Sequence, residues 1–150
     1  MNVNGSAISE RMDEARSVCA RYNPIHGEIS NFSLALYVLG SIKAPDIMSA
    51  EDFDMSEAAA ILRENFREID ESEIASEYST VDSKDRYLLV LGDPQFPVHF
   101  AALVDKNSKA PFFSKLPYFG SGFDSLEELR KGFSRESTTG ICDAHYFRAI

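Results

Sequence analysis

The chain has no tryptophan, only two cysteines and only three histidines in 150 residues, and each shortage removes a class of function. Cys19 and Cys142 stand far apart with no second cysteine near either. One disulfide is the most they can form, so neither a disulfide framework nor a four-thiolate zinc site is available. Cys142-Asp143-Ala144-His145 does set two potential ligands three apart. Closing a zinc shell there would take His26 or His99 and a carboxylate, so these are read as incidental groups on a tail, and neither metal nor cofactor is expected. No apolar run approaches the roughly 20 residues of a membrane helix, so no membrane partner is expected. The first residues, MNVNGSAISERMDEARS, lack a basic stretch followed by an apolar core, which points to the cytoplasm. Gly120-Ser121-Gly122 precedes a helical pattern, but a third glycine and a phosphate-binding lysine are missing, which argues against a nucleotide site.

Positive charge is also scarce. Fifteen Lys and Arg face 24 Asp and Glu, a net charge of −9. The imbalance is local: Asp46 to Asp93 holds 14 acids against four bases, whereas Pro94 to Arg135 holds six bases against four acids. Such a field opposes a nucleic-acid backbone and attracts a basic partner. The simpler reading is a solvated helix face that keeps the protein soluble.

What remains is an ordinary globular composition, 44% hydrophobic and 26% charged, enough for one domain over residues 1–150 with a real core. The central stretch is Arg86 to Phe133. Tyr87–Leu91 and Val98–Val104 are short apolar runs around the turn Gly92-Asp93-Pro94-Gln95-Phe96-Pro97, which predicts an antiparallel pair. Pro111-Phe112-Phe113 follows a polar turn as a third strand. Asp124 then starts a helix carrying Leu126, Leu129 and Phe133. Upstream, Ile8, Met12, Ala15 and Tyr22 recur at helical spacing over Ser6 to Tyr22, and Asn23-Pro24 ends that helix. Cys19 falls within it as a structural thiol. Pro24 to Lys43 predicts a helix that is apolar nearly all round, hence buried, and closed by Gly40. Asp54 with Glu57 reads as a capping box opening a third helix through Ala58, Leu62, Phe66 and Ile69. Its outer face would carry Glu57, Arg63, Glu64, Arg67, Glu68 and Glu71. Asp70 to Asp85 reads as a loop with a short edge strand near Glu77–Val81. Ile141 to Phe147 reads as a short returning strand or a packed end. The expected class is α+β: N-terminal helices, then a small antiparallel sheet of three or more strands, then a C-terminal helix.

Two stretches carry a family resemblance. Gly27-Glu28-Ile29-Ser30-Asn31-Phe32-Ser33-Leu34-Ala35-Leu36 resembles the nucleophile helix of bacterial papain-like proteins, in which Gly-x-Cys opens an apolar helix. His99-Phe100-Ala101-Ala102-Leu103-Val104-Asp105 is similar to the histidine strand of that family, and Ser125-Leu126-Glu127-Glu128-Leu129 to a helix that follows it. The resemblance implies a thiolate at a helix N-terminus paired with a strand histidine. Ile29 stands where the cysteine should be, and Phe112-Phe113-Ser114-Lys115 offers no clean third member. The resemblance therefore implies a catalytically dead relative.

Three functions follow. The first is a non-catalytic binding or inhibitory protein whose partner is another, basic protein, held through the acidic face at Glu64 and Glu68 or through the aromatic stretch of Phe112, Phe119 and Phe123. The second is a hydrolase that uses His99 with a substitute nucleophile, Ser30. A step of one residue turns a helix by about 100°, so Ser30 would not face where Ile29 faces and reads better as a helix cap. The third is a structural or regulatory subunit of an assembly. His99 itself also reads as a half-buried strand histidine bonded to backbone, and His26 as a turn residue.

Overall fold

The two apolar runs at the centre of the chain set the architecture. The computed structural model describes residues 5–20, 23–24, 29–42, 44–116, 120–133 and 142–150. In chain order the elements are α1 (Gly5–Val18), β1 (Cys19–Ala20), β2 (Asn23–Pro24), α2 (Asn31–Leu39), α3 (Met55–Asn65), β3 (Phe66–Ile69), β4 (Tyr87–Asp93), β5 (Phe96–Leu103), β6 (Phe112–Lys115), β7 (Ser121–Asp124), α4 (Leu126–Gly132) and β8 (Ala144–Ala149). The sheet order is β2-β1-β7-β6-β5-β4-β8-β3. The six strands from β7 to β3 are antiparallel throughout, and β1 joins β7 in parallel at Ala20 and Ser121. This is an α+β fold.

Strands β4 and β5 are buried on both faces, which explains why their sequences run apolar without alternation. Leu88, Val90, Phe100, Ala102, Phe113 and Phe147 meet Ile8, Met12 and Ala15 of α1, Phe32 and Leu34–Leu39 in α2, and Ala58 and Leu62 of α3. Leu89, Leu91, Ala101, Leu103 and Phe112 point the other way, toward Ile74, Tyr78, Leu129 and Phe133. The hairpin turns at Pro94-Gln95, between the paired Asp93 and Phe96, and just before the turn Gly92 takes a φ of +87°, open to glycine but strained for other residues. The register slips between Leu91 and Gly92, leaving Val98 as the extra residue of a bulge.

Helix α2 is seated by its first residues. Ser30 caps it, its Oγ accepting from the Ser33 N–H at 3.1 Å. Ser33 Oγ in turn accepts from the Phe53 N–H at 2.7 Å, and Asp52 accepts from the Ser30 N–H at 2.9 Å, tying α2 to the segment that leads into α3. Asn31 Oδ1 accepts from the Phe100 N–H at 2.9 Å. That amide needs a side chain because β6 pairs with β5 only at Ala102 and Leu103, beyond Phe100. Gly40, at φ 79°, closes the helix, as its position in the sequence suggests. The Asp54–Glu57 capping box at the start of α3 also forms as expected.

Four expectations need correction. The chain does not close on a helix: α4 is followed by β8, which lies inside the sheet between β4 and β3, and helices occur among the strands as well as before them. The third helix stops at Asn65, and Phe66 to Ile69 form a strand. A spacing of three puts Phe66 and Ile69 on one side of a helix but on opposite faces of a strand, and the two do enter opposite clusters. The first helix yields to β1 after Val18. Between Asp70 and Asp85 the expected edge strand is reduced to a single bridge from Ser79 to Asp105. The expectations for the Cys19 side chain, Tyr22, His26, Gly27, Tyr118, Phe119 and Ile141 lie outside the described residues.

Polar groups lock the periphery. Arg86 is 1% exposed and donates to the carbonyls of Ser83 at 2.7 Å and Asp85 at 2.8 Å. The Tyr78 hydroxyl donates to the Asp85 carbonyl as well. On the opposite face, Tyr37 donates to Glu14, whose other oxygen accepts from the Ile47 N–H at 3.0 Å. Burial raises these phenols above their ordinary value of 10: Tyr78 is pushed up to about 12 despite Arg86 beside it, and Tyr37 rises as well, with Glu14 adding to the effect of burial.

Two measurements follow. Replacing Asn31 by Ala orphans the buried Phe100 amide and should lower the unfolding free energy by about 1–3 kcal/mol, whereas Asn31→Asp keeps the acceptor oxygen and should recover part of it. Urea denaturation followed by circular dichroism tests this, and equal midpoints for Asn31→Ala and the parent would reject it. The phenols give a pH dependence. The fold favours their neutral form, so this contribution is complete below pH 10 and is lost as pH rises from 10 toward 12. Thermal midpoints between pH 8 and about 12 should fall only in the upper part of that range, with Tyr78→Phe flattening the decline.

Candidate functional site

Part of the acidic segment lies at one margin of the sheet. Residues 63–73 read RENFREIDESE, five acids against two arginines. Phe66 and Ile69 are buried and fix β3 against β8, while Arg67 and Glu68 between them are exposed. Glu64 is exposed at the end of α3. Glu64 and Glu68 therefore do not share a helix face, as the sequence pattern had suggested: one ends the helix and the other lies on the strand.

Glu68 crosses to β8, where its Oε2 lies 2.9 Å from His145 Nδ1. The pair is partly open to solvent, with side chains 51% and 29% exposed, so its stabilising contribution is about 1 kcal/mol or less. Around it is a shallow cleft of about 360 Å³ lined by Glu68, Ile69, Asp70, Glu71, Ala144, His145 and Tyr146. Tyr146 is pushed up to about 12 by burial, with Glu71 reinforcing the shift and Arg130 opposing it. Asp70 donates its N–H to Glu73 Oε2 at 2.8 Å, which turns the chain away from the strand. The sequence contains both halves of this contact, and the returning-strand reading of the tail is the one realised in β8, which puts His145 and Phe147 on one face; the helical reading of Phe66 to Ile69 hides the strand it pairs with.

His99 lies elsewhere. It is fully buried, and its ring stacks on Phe133 at 4.4 Å with 25° between planes. Its neighbour Phe100 packs edge-on to Phe32 of α2 at 4.9 Å, on the opposite face of the sheet. Adjacent strand residues point to opposite faces, so His99 is turned away from α2. Ser30 is at the start of α2, with its hydroxyl bonded to Ser33 Oγ at 3.1 Å. The structure does not bring Ser30 and His99 together. Ile29 is half-buried against the core on the helix side.

The aromatic stretch divides. Phe112 is 3% exposed within the core, since β6 has one ring on each face and both faces are covered. Phe123 is 37% exposed, stands edge-on to Phe113 at 5.1 Å and has the Arg16 guanidinium 5.9 Å from its ring centre. It borders a second open cleft of about 410 Å³ with Val104, Asp105, Ser108 and Ala110. Phe119 lies outside the described residues. Phe96, 62% exposed at the tip of the β4–β5 hairpin, is an apolar surface group that the turn reading overlooked. Among the described residues no group of three or more His, Cys, Asp and Glu side chains is arranged to hold a metal ion, and no helix is long and apolar enough to cross a membrane.

Compared with protein-family models, curated proteins and solved structures, the chain matches none.

His99→Ala should act on stability. Removing a buried ring that stacks on Phe133 should cost about 2–4 kcal/mol. Chemical denaturation of His99→Ala beside His99→Phe, which keeps the ring volume, checks this: the alanine variant should fall well below the phenylalanine variant, and equal stability would reject a packing role.

Proposed function

We propose that the protein is a non-catalytic docking module whose acidic sheet margin receives a basic protein partner. The observation that carries this reading is the gathering of Glu64, Glu68, Asp70, Glu71 and Glu73 around a terminal strand, next to an open cleft with carboxylates on its rim. Association through such a margin is steered by charge, and its rate falls as salt shortens the reach of the field from about 10 Å at 0.1 M to about 3 Å at 1 M. The placement of His99 and Ser30 on opposite faces of the sheet, and Ile29 where a nucleophile would be, support binding over hydrolysis.

The reading is tested with a fluorescein-labelled lysine-rich peptide and fluorescence anisotropy. Glu64 and Glu71 are exposed, so Glu64→Lys with Glu71→Lys should change stability by no more than about 0.5 kcal/mol each. This double variant should bind at least several-fold more weakly than a control of equal net charge, Glu10→Lys with Glu51→Lys, and the difference should vanish in high salt. Equal affinity for the two double variants would place the attraction in net charge alone and reject the margin as a site.

A further inference from the structure

We infer that the partner binds at this margin by adding a strand to β3, as an extended segment that alternates basic and apolar residues. The inference rests on the docking reading above and specifies its geometry. Strand β3 is the terminal strand of the sheet, so one of its two backbone edges has no strand neighbour among the described residues. Register fixes which groups occupy that edge. Phe66 lies opposite Ala149, Arg67 opposite Arg148, Glu68 opposite Phe147 and Ile69 opposite Tyr146, and the Ile150 N–H donates to the Asn65 carbonyl at 3.0 Å. Hydrogen bonding in an antiparallel ladder alternates, so Asn65, Arg67 and Ile69 turn their amides and carbonyls inward to β8. Phe66 and Glu68 turn theirs outward. The Phe66 N–H is used by the Leu62 carbonyl in the last turn of α3. Among the described residues, the Phe66 carbonyl and both backbone groups of Glu68 remain as a short outward ladder. Beyond it, the Asp70 N–H is taken by Glu73.

Those three groups define the occupant. An incoming antiparallel strand exchanges two hydrogen bonds with Glu68 and donates a third to the Phe66 carbonyl. Its residues opposite Phe66 and Glu68 fall on the face of the Glu68 carboxylate, and basic side chains there meet Glu68 and the nearby acids. The residue between them falls opposite Arg67, on the face where Ile69 and Tyr146 lie, which disfavours a second cation there and suits an apolar side chain. A second copy of this chain is a poor occupant. Pairing β3 with itself would bring two sets of Glu64, Glu68, Asp70, Glu71 and Glu73 together, and like charges facing each other across strands are unfavourable.

The test uses a synthetic peptide of alternating lysine and valine, and the same peptide N-methylated at alternate amides. Methylation removes the donors but keeps every charge and side chain. The unmodified peptide should bind, should slow hydrogen exchange at the Glu68 amide, and should be weakened about tenfold by methylation of the face that meets β3. Equal binding of both peptides, with unchanged exchange at Glu68, would overturn strand addition while leaving an acidic docking surface in place. Binding by neither peptide, or binding undiminished in the Glu64→Lys with Glu71→Lys variant, would overturn the inference together with the reading beneath it. A peptide-free dimer in sedimentation that protects the Glu68 amide would overturn the choice of occupant.

Discussion

Burial of the β4–β5 hairpin on both faces is the constraint on which the rest of the structure depends. A strand pair with no wet side needs a cover on each face, and the chain supplies two unlike ones. Helices α1, α2 and α3 make a continuous apolar layer over Val90, Phe100 and Ala102. The other side is closed by α4 and by the segment of residues 70–85, whose coil is held down by Arg86 reaching main-chain carbonyls. The burial of His99 follows from this. A residue at position 99 must enter the second cover, and an imidazole stacked flat on Phe133 suits that apolar site.

Much of this could be read from the sequence, for identifiable reasons. The β4–β5 hairpin, the buried α2 with Gly40 as its stop and the Asp54–Glu57 cap each depend on neighbours within a few positions, so local pattern suffices. The end of α3 does not. Phe66 and Ile69 satisfy helical and strand geometry equally well, and the choice is made by β8, nearly 80 residues further along the chain. Strand β7 was missed because Ser121-Gly122-Phe123-Asp124 has too little apolar content to show a period, and it is a strand only because β6 pairs with it. The candidate site was half legible. The excess of acid between Asp46 and Asp93 was plain in the sequence, but the placement of five of those 14 acids at a sheet margin required knowing that β3 comes last in the strand order.

The two kinds of surface suggested by the sequence fare differently. Folding divides the aromatic stretch, with Phe112 inside and Phe123 partly outside. It makes several of the acids useful locally: Asp54 with Glu57 caps α3, Asp70 with Glu73 caps the short helical turn after β3, and Glu68 meets His145. Carboxylates that serve as caps are held in fixed positions, so this part of the negative field is a rigid pattern of charge instead of a mobile cloud.

The place of β8 also sets the order in which the molecule can be completed. Glu68 and His145 are 77 residues apart, and β3 touches the sheet only through the strand that carries His145. At a synthesis rate of about 5–20 residues per second, residues 66–69 wait roughly 4–15 s for their neighbour to be made. The β4–β5 hairpin and α2 can assemble during that interval, but β3 is left with both edges bare. Arg67 and Glu68, charged residues at the middle of this unpaired strand, then act as gatekeepers that keep nascent chains from zipping to one another.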